Sequence, residues 1–429
     1  MKSKKINFLH YILFVYCFFP FTFKPFRMFQ VALAYGGAFI YVLFNLNYLV
    51  SKIRDSLVFN SLHSFLALII LLLLRPLFTL DYTYLNYFIS FMRAAILILC
   101  MVIILLKKNI KSFEEIANVY INVMIIYICF SIAFLLPPLR MLWTSIIYAT
   151  DRASELIESV VYYTRFGLQG FSGWGHTVHC ALAVTLFWVL KLNETKISYF
   201  KLLLLLTGCA FYGRSGLIVA LISSFLASLC AIRYRKIKLI LFIFSLGLIL
   251  FFSLLIYMKY FSSEYNALSW MFEPFVNKLK GKDASSSSNA LKGMYQRFHI
   301  DNARSLVFGD GLYTDADGHY YQQVDIGWVR PLLFGGVLFL FFYYSTFLLG
   351  ILISANSCPI KIRSVFLLLI ITQLLIFEMK GETYAMFVRV FLLFSFSTRS
   401  QINEISVYNQ SVYDRRSRKS FFKYCFKYQ

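Results

Sequence analysis

The amino-acid sequence predicts an all-α polytopic integral membrane protein with about twelve transmembrane helices, spread over residues 1–429 as a single membrane domain. Two features of the composition support this prediction: 59% of the residues are hydrophobic and only 14% are charged. A soluble domain usually carries about 25% charged residues. A soluble core could not bury so many apolar side chains, so lipid must cover part of them.

The third observation is that apolar segments recur along the whole chain, most of them near the ~20 residues that a spanning helix needs. The predicted spans are approximately 8–21, 28–50, 57–80, 85–106, 116–136, 173–190, 199–212, 215–232, 238–258, 326–353, 365–377 and 384–396. The first, seventh and eleventh segments are short or weak, so the prediction is ten to twelve spans.

The distribution of positive charge tests this assignment. The chain has a formal net charge of +22, and every second connecting segment is rich in Lys and Arg if the N-terminus is cytoplasmic. Cytoplasmic loops carry such an excess. The pattern predicts that both termini are cytoplasmic, with a basic cytoplasmic tail over 397–429. It also accounts for the net charge without a nucleic-acid partner.

Two predicted outer loops are long, over 137–172 and over 259–325, and the second precedes the tenth span. In the first loop Asp151, Glu155 and Glu158 lie at helical spacing, which predicts a short amphipathic helix on the membrane surface. In the second loop the stretch 282–289 contains four serines and predicts a flexible segment. Loops are usually a few residues long, so a loop of roughly 65 residues predicts a function.

Two arginines next to predicted spans are candidate anion ligands. Arg165 begins a glycine-rich run that ends at His176 in the first turn of the sixth span, with His179 three residues further on. This run is either a substrate-facing wall or a glycine-rich helix start with interfacial histidines. Arg214 lies between two apolar helices; an arginine there either extends to lipid headgroups or binds a phosphate, which its planar fork suits.

The end of the large loop contains candidate general bases. Asp317, His319 and Asp325 are polar and close to the tenth span, and each could accept a proton from a hydroxyl group. The alternative is that they are solvated loop charges. The spacing of a calcium-binding EF-hand is absent, so no metal is predicted.

A short segment between the last two predicted spans carries three charges. Glu378, Lys380 and Glu382 either pair with one another or line a polar cavity.

Three short motifs resemble those of the O-antigen polymerase family, which builds bacterial surface polysaccharide from lipid-linked repeat units. The first is the segment around Arg214-Ser-Gly, which joins two spans on the predicted outer side. The second is Phe308-Gly-Asp-Gly, followed by Val324-Asp-Ile-Gly-Trp-Val and Leu333-Phe-Gly-Gly at the end of the large loop. The third is Glu378-x-Lys380. The predicted topology, with a large outer loop before the tenth span, is also similar.

The resemblance implies a glycosyltransferase in the bacterial inner membrane that acts on the periplasmic face. Its substrate would be an oligosaccharide joined through pyrophosphate to undecaprenol, and a chain-length regulator would be a partner. No cofactor is implied. Arginines would hold the departing pyrophosphate: Arg214 first, then Arg165 and Arg304, with His176 and Lys380 as further substrate ligands. The base would be Asp325, His319 or Asp317, in that order.

Two alternatives remain open at this stage. A flippase or other transporter of lipid-linked oligosaccharide would also have about twelve spans. An O-antigen ligase is the second alternative, but related ligases have a histidine near the position of Asp325, which favours a polymerase.

Overall fold

A computed structural model describes residues 6–52, 56–74, 79, 81–149, 164–171, 173–233, 277, 281 and 286–397. Over these residues the protein is mostly helical, with little sheet. The longer helices are α1 Phe8–Phe18, α5 Ser56–Leu74, α6 Thr83–Lys107, α7 Phe113–Ala133, α8 Pro137–Ile146, α9 Trp174–Leu192, α10 Tyr199–Tyr212, α11 Arg214–Arg233, α12 Ser286–Arg297, α14 Val329–Ser357, α15 Arg363–Glu378 and α16 Tyr384–Phe394. The shorter helices are α2 Arg27–Val31, α3 Gly37–Phe44, α4 Leu46–Val50 and α13 Ala303–Phe308. A hairpin of two short strands, β1 Phe166–Gly167 and β2 Gly170–Phe171, precedes α9.

Seven of the described helices are long and apolar enough to cross a bilayer, which establishes a helical membrane protein with several spans. They are Lys24–Phe44, Thr83–Lys107, Phe113–Ala133, Trp174–Leu192, Arg214–Ile232, Val329–Ser357 and Ile360–Glu378. Four shorter apolar helices cover Phe8–Phe18, Phe65–Leu74, Tyr199–Tyr212 and Tyr384–Phe394. The predicted ninth span, 238–258, lies outside the described residues, as does the predicted amphipathic helix around Glu155.

One predicted span differs in detail from the helix that forms. The second predicted span is helical over Lys24–Phe44, with a π-helical turn at Ala32–Gly36, and is interrupted after Phe44, before α4. Asn45 separates α3 from α4, and its side chain donates a hydrogen bond to the carbonyl oxygen of Tyr41 at 2.7 Å. The third predicted span is helical over Ser56–Leu74, and residues 75–78 and 80 of that span lie outside the described residues.

Helix α9 is the centre of the bundle, because 16 of its 19 residues are buried. It packs against α7, α10, α11 and α15. Buried polar side chains cross these contacts in hydrogen-bonded pairs: Trp188 donates to Ser224 at 2.8 Å, and Gln373 donates to the hydroxyl of Thr185 at 2.7 Å. Satisfied polar contacts of this kind between apolar helices fix their rotation relative to one another.

Several connecting segments contact one another. Among segments predicted to be outer, Gln169 donates to the carbonyl oxygen of Pro20 at 2.9 Å, and Asp81 accepts from the backbone N–H of Thr314 at 3.3 Å. Between two segments predicted to be inner, Asn193 donates to Glu114 at 3.0 Å. Each of these three contacts joins segments that the charge pattern places on the same side.

The described part of the large loop is ordered by local structure and folds back onto α14. Residues 286–289 are helical, as part of α12, so the prediction of a flexible stretch is wrong for these four residues; 282–285 lie outside the described residues. Four residues of a second small core, Val324, Ile326, Val329 and Leu333, pack against the apolar face of α12. This apolar contact explains why a serine-rich segment is helical, since burial of one face outweighs weak intrinsic propensity.

Two glycines join the large loop to the beginning of α14. The backbone N–H groups of Asp310 and Gly311 donate to the carbonyl oxygens of Leu333 and Phe334, at 2.7 and 3.0 Å. Gly309 has φ +70° and a side chain there would lie within 2.5 Å of the Phe334 backbone. The close approach and the positive φ both require glycine. The segment 312–332 is therefore held as a closed loop above the bundle.

Candidate functional site

A polar cavity of about 500 Å³ opens where the predicted outer segments meet. It lies between helix ends: the beginnings of α9, α11, α14 and α16 and the end of α10 contribute to it. Its walls are formed by Arg165, Trp174, Thr177, Tyr212, Gly213, Ser215, Tyr313, Tyr320, Asp325, Arg330, Lys380, Gly381, Glu382 and Met386. Concave sites with a few convergent charged groups are the usual places for ligands.

Arg165 is placed in this cavity by the β1–β2 hairpin that follows it. Thr164 donates a hydrogen bond to the carbonyl oxygen of Phe211 at 3.2 Å, which ties the hairpin to the junction of α10 and α11. On the far side of the hairpin, Trp143 donates to the carbonyl oxygen of Leu168 at 3.1 Å. The glycine-rich run predicted around Arg165 thus forms a tight turn that fixes the arginine at the cavity wall.

The segment around Arg214 is held by close contact between α9 and α11. The hydroxyl of Thr177 donates to the carbonyl oxygen of Gly213 at 3.0 Å, and a side chain at Gly216 would collide with Thr177. Gly213 and Ser215 line the cavity, while Arg214 itself is buried beside it, 8% exposed. Its guanidinium donates to the hydroxyl of Ser287 on α12 at 3.2 Å. Arg214 therefore lies inside the protein, behind the cavity wall, rather than in the lipid headgroups.

The ammonium group of Lys380 lies near the guanidinium groups of Arg165 and Arg214. This ammonium donates to the hydroxyl of Ser215 at 3.1 Å and lies 5.6 Å from the centre of the Trp174 ring. Burial and, to a smaller extent, the positive charges of Arg214 and Arg165 lower the pKa of Lys380 to about 8, while Asp325 opposes the shift. A lysine whose charge is disfavoured by two neighbouring guanidinium groups marks a strongly positive wall, where an anion would be stabilised.

An acidic pair lies across the cavity around Arg330. The guanidinium of Arg330 lies 2.8 Å from Asp325 and 3.5 Å from Glu382, and stacks over the rings of Tyr320 at 3.9 Å and Tyr313 at 4.3 Å. The two carboxylates differ in environment: the side chain of Asp325 is 42% exposed, whereas that of Glu382 is 3% exposed. The carboxylates of Asp325 and Glu382 thus neutralise the charge of Arg330. The positively charged wall around Lys380 is therefore the side of the cavity that suits an anion.

Glu382 is a structural carboxylate at the base of the site. Burial raises its pKa, and the positive charge of Arg330 counteracts this. It accepts hydrogen bonds from Tyr313 at 3.0 Å and from Tyr343 at 3.4 Å. Glu378, in the last turn of α15, instead accepts from the backbone of Thr383 at 2.9 Å. The sequence left open whether this charged segment forms ion pairs or lines a polar cavity. In the structure, Lys380 and Glu382 lie in the wall of the polar cavity.

The structure brings some of the sequence-predicted site residues together and separates others. Arg165, Lys380 and Asp325 line the cavity, and Arg214 adjoins it. Asp317 and His319 lie exposed at the tip of a hairpin closed by a bridge between Thr314 and Tyr320, outside the cavity lining.

Arg304 and His176 also lie outside the lining. Arg304 is exposed on α13. His176 is 7% exposed and lies in an aromatic cluster, where its ring accepts or donates a 2.9 Å hydrogen bond with the Tyr127 hydroxyl and stacks on Phe19 at 4.9 Å. His179 likewise contacts α7, the helix that carries Tyr127, through a 2.8 Å hydrogen bond with the hydroxyl of Tyr120.

Sequence reasoning missed Arg330 as a member of the site and left open whether Glu382 lines a cavity. Arg330 lies within the predicted tenth span and Glu382 between two predicted spans, and an ionisable residue in such a place indicates a polar cavity or a paired charge. That signal was present for each residue separately. Their pairing across 52 positions of the chain could not be read without the fold.

Taken together, the fold and the cavity define a polytopic helical membrane protein with a charged, partly enclosed site at one end of the bundle. Comparisons of the chain with models of known protein families, with curated proteins and with solved structures give no match.

Proposed function

We propose that the protein is a membrane-embedded glycosyltransferase that polymerises oligosaccharide repeat units carried on undecaprenyl pyrophosphate. The observation that carries this proposal is the charge arrangement of the cavity: a positive wall of Arg165 and Lys380, backed by Arg214, faces the half-exposed carboxylate of Asp325. The positive wall suits a pyrophosphate, and the carboxylate suits a sugar hydroxyl. The motifs shared with O-antigen polymerases support the same assignment.

The proposed reaction is a single displacement at the anomeric carbon. A hydroxyl oxygen of the incoming repeat unit bonds to that carbon, and the bond from the carbon to the pyrophosphate oxygen breaks. Undecaprenyl pyrophosphate leaves with the electron pair, where the cationic wall stabilises its charge. Asp325 accepts the hydroxyl proton and passes it to water. Arg330 fixes the orientation of that carboxylate, at some cost to its basicity.

The proposed topology has about twelve spans, with both termini in the cytoplasm and the cavity at the periplasmic face of a bacterial inner membrane. The four shorter apolar helices and the segment 238–258 supply the spans beyond the seven long ones. The grouping of predicted outer loops around the cavity supports this arrangement. A chain-length regulator is the proposed protein partner.

A transporter is a weaker candidate. Transporters bind substrate near the bilayer midplane, at breaks within spanning helices. Here the cavity is built from helix ends, within a few residues of Trp174, Gly213 and Glu382.

The test is the glycan ladder of a deletion strain complemented with variants. Lys380→Met and Asp325→Asn each remove one charge from the cavity wall, and loss of one positioned electrostatic group should slow the reaction about 10²–10³-fold. We expect surface glycan of a single repeat. The matched control is Arg304→Met, which removes an exposed charge outside the lining and should give the wild-type ladder.

The outcomes separate the alternatives. Loss of a flippase would leave no repeat units outside, and loss of a ligase would leave no glycan at all on the acceptor lipid. A normal ladder from Lys380→Met and Asp325→Asn, at normal protein levels in the membrane, would contradict the proposed enzyme.

A further inference from the structure

A second cavity, of about 290 Å³, lies within the bundle among α3, α4, α5, α6, α14 and α16. Almost all of its lining side chains are apolar, such as Leu49, Phe65, Phe91, Leu99 and Ile353. We refer to it as the apolar groove. Nothing in the proposed chemistry uses it, and two of its helices, α14 and α16, also line the polar cavity.

The few polar groups in the groove are already satisfied by the protein. The hydroxyl of Thr346 donates to the carbonyl oxygen of Tyr343 at 2.7 Å and lies 3.3 Å from the hydroxyl of Tyr384. The hydroxyl of Ser395 donates to the carbonyl oxygen of Leu392 at 2.8 Å. A water molecule needs two or more polar partners to be held in a cavity. The groove is therefore suited to hydrocarbon.

The groove and the polar cavity are neighbours along two helices, α14 and α16, which contribute to the lining of both. On α16 the groove begins at Tyr384, two residues after the cavity residue Glu382, and extends beyond Leu392. On α6 it begins at Phe91, two turns after Tyr84, whose ring lies 4.7 Å from that of the cavity residue Tyr313. Eight residues of helix span about 12 Å. The groove thus runs at least that far from the polar end toward the middle of the bundle.

An amphiphile with an anionic head and a long apolar chain matches this succession of sites. We infer that the apolar groove binds the polyisoprenoid chain of the lipid-linked substrate while the pyrophosphate lies in the polar cavity; this inference rests on the proposed function. A cavity of ~150 Å³ holds the six carbons of benzene, so the groove has room for about ten to twelve carbons, or two isoprene units.

The apolar groove selects a hydrocarbon chain by its shape rather than by its hydrophobicity. Hydrocarbon tails in a bilayer are as apolar as leucine, so moving a chain from lipid into the groove gains little from the hydrophobic effect. Packing against fixed walls is what distinguishes one chain from another. The branched methyl groups of an isoprenoid fit walls rich in aromatic rings, with Phe65, Phe91, Phe391 and Phe396 among them.

Photochemical labelling tests this inference directly. The probe is geranyl pyrophosphate, with two isoprene units and a diazirine at its distal end, added to the full chain in phospholipid nanodiscs. We expect adducts in the peptides 91–99 and 384–392, competed by unlabelled geranyl pyrophosphate. Ala95→Trp fills the groove and should reduce labelling at least tenfold. The matched control, Ile89→Trp, adds the same ring on α6 at a side chain that is 39% exposed and outside the groove.

The other outcomes refute the inference. Equal labelling of the same peptides by a diazirine-bearing phospholipid, without competition by the isoprenyl pyrophosphate, would make the groove a crevice for bulk lipid. Adducts outside the groove would also overturn the inference. Val388→Phe is the second filling variant in case Ala95→Trp is not monodisperse. If Lys380→Met yields single-repeat glycan but both filling variants label normally, the groove fails and the polymerase stands.

Discussion

Replacing Arg330 by methionine should destabilise the protein through the carboxylate that it leaves behind. Arg330 neutralises two acidic side chains, but they do not contribute equally. Asp325 is 42% exposed, so water screens it, and an exposed pair contributes only about 0–1 kcal/mol. Glu382 is 3% exposed. Removing one partner of a buried pair typically costs about 3–5 kcal/mol, because the remaining charge is uncompensated. We expect a loss of that size for Arg330→Met.

The pH dependence of this loss has a defined sign. Burial raises the pKa of Glu382 and Arg330 opposes this rise, so the pKa rises further in Arg330→Met. A carboxyl group with a raised pKa in the folded state stabilises the fold at low pH, where it is protonated. This stability is lost as the pH rises through the folded-state pKa. The deficit of the variant should therefore be small at acidic pH and grow toward neutral and alkaline pH.

A double-mutant cycle in detergent, followed by thermal unfolding, measures the coupling. Arg330→Met, Glu382→Gln and the double variant are compared with the wild type at acidic and at neutral pH. If the buried charge causes the loss, the double variant should recover more than half of it at neutral pH. Equal stability of Arg330→Met and the wild type, or a double variant as unstable as the sum of the single variants, would refute the reasoning.

Three further predictions concern the site and its supports. Binding of inorganic pyrophosphate should weaken between pH 7 and pH 9, as Lys380 with its pKa of about 8 loses its proton, and Lys380→Met should remove that part of the dependence in calorimetric titrations. Gly336→Ala should cost about 1–3 kcal/mol or more in thermal unfolding, because φ is +68° and the methyl group would meet Val307. Asp81→Ala should release the loop that it holds through the backbone of Tyr313 and Thr314. Limited proteolysis within 312–325 would then become faster, with an unchanged rate contradicting the anchor.

Much of the fold could be predicted from hydropathy and charge because both are local properties. The apolar segments of α6, α7, α9, α11, α14 and α15 are visible in the sequence, since each must cross the same thickness of hydrocarbon. The π-helical turn at Ala32–Gly36 and the interruption at Asn45 in the second predicted span were not predicted. Both alter the backbone without changing its hydropathy.

The site was predicted in part, and the failures have a common cause. Arg165, Lys380 and Asp325 were identified because a charged residue next to a spanning helix is energetically costly and usually lines a polar cavity or a functional site. His176 was grouped with them for the same reason, yet Phe19 and Tyr127 enclose it within the bundle. Whether a polar residue on a helix faces a cavity or a neighbouring helix depends on long-range packing, which a single sequence does not reveal.

The positions of the resembling motifs give them two different roles. Phe308-Gly-Asp-Gly and Leu333-Phe-Gly-Gly are joined through backbone hydrogen bonds and through the steric need for glycine at positions 309 and 336. They contribute no side chain to the cavity lining. Their contact closes the intervening segment, which presents Tyr313, Asp325 and Arg330 to Lys380. The glycine motifs therefore set the geometry, and the charged residues between and after them line the cavity in which we propose the reaction takes place. Substituting a glycine should lower stability first, whereas substituting Lys380 or Asp325 should lower the rate in a folded protein.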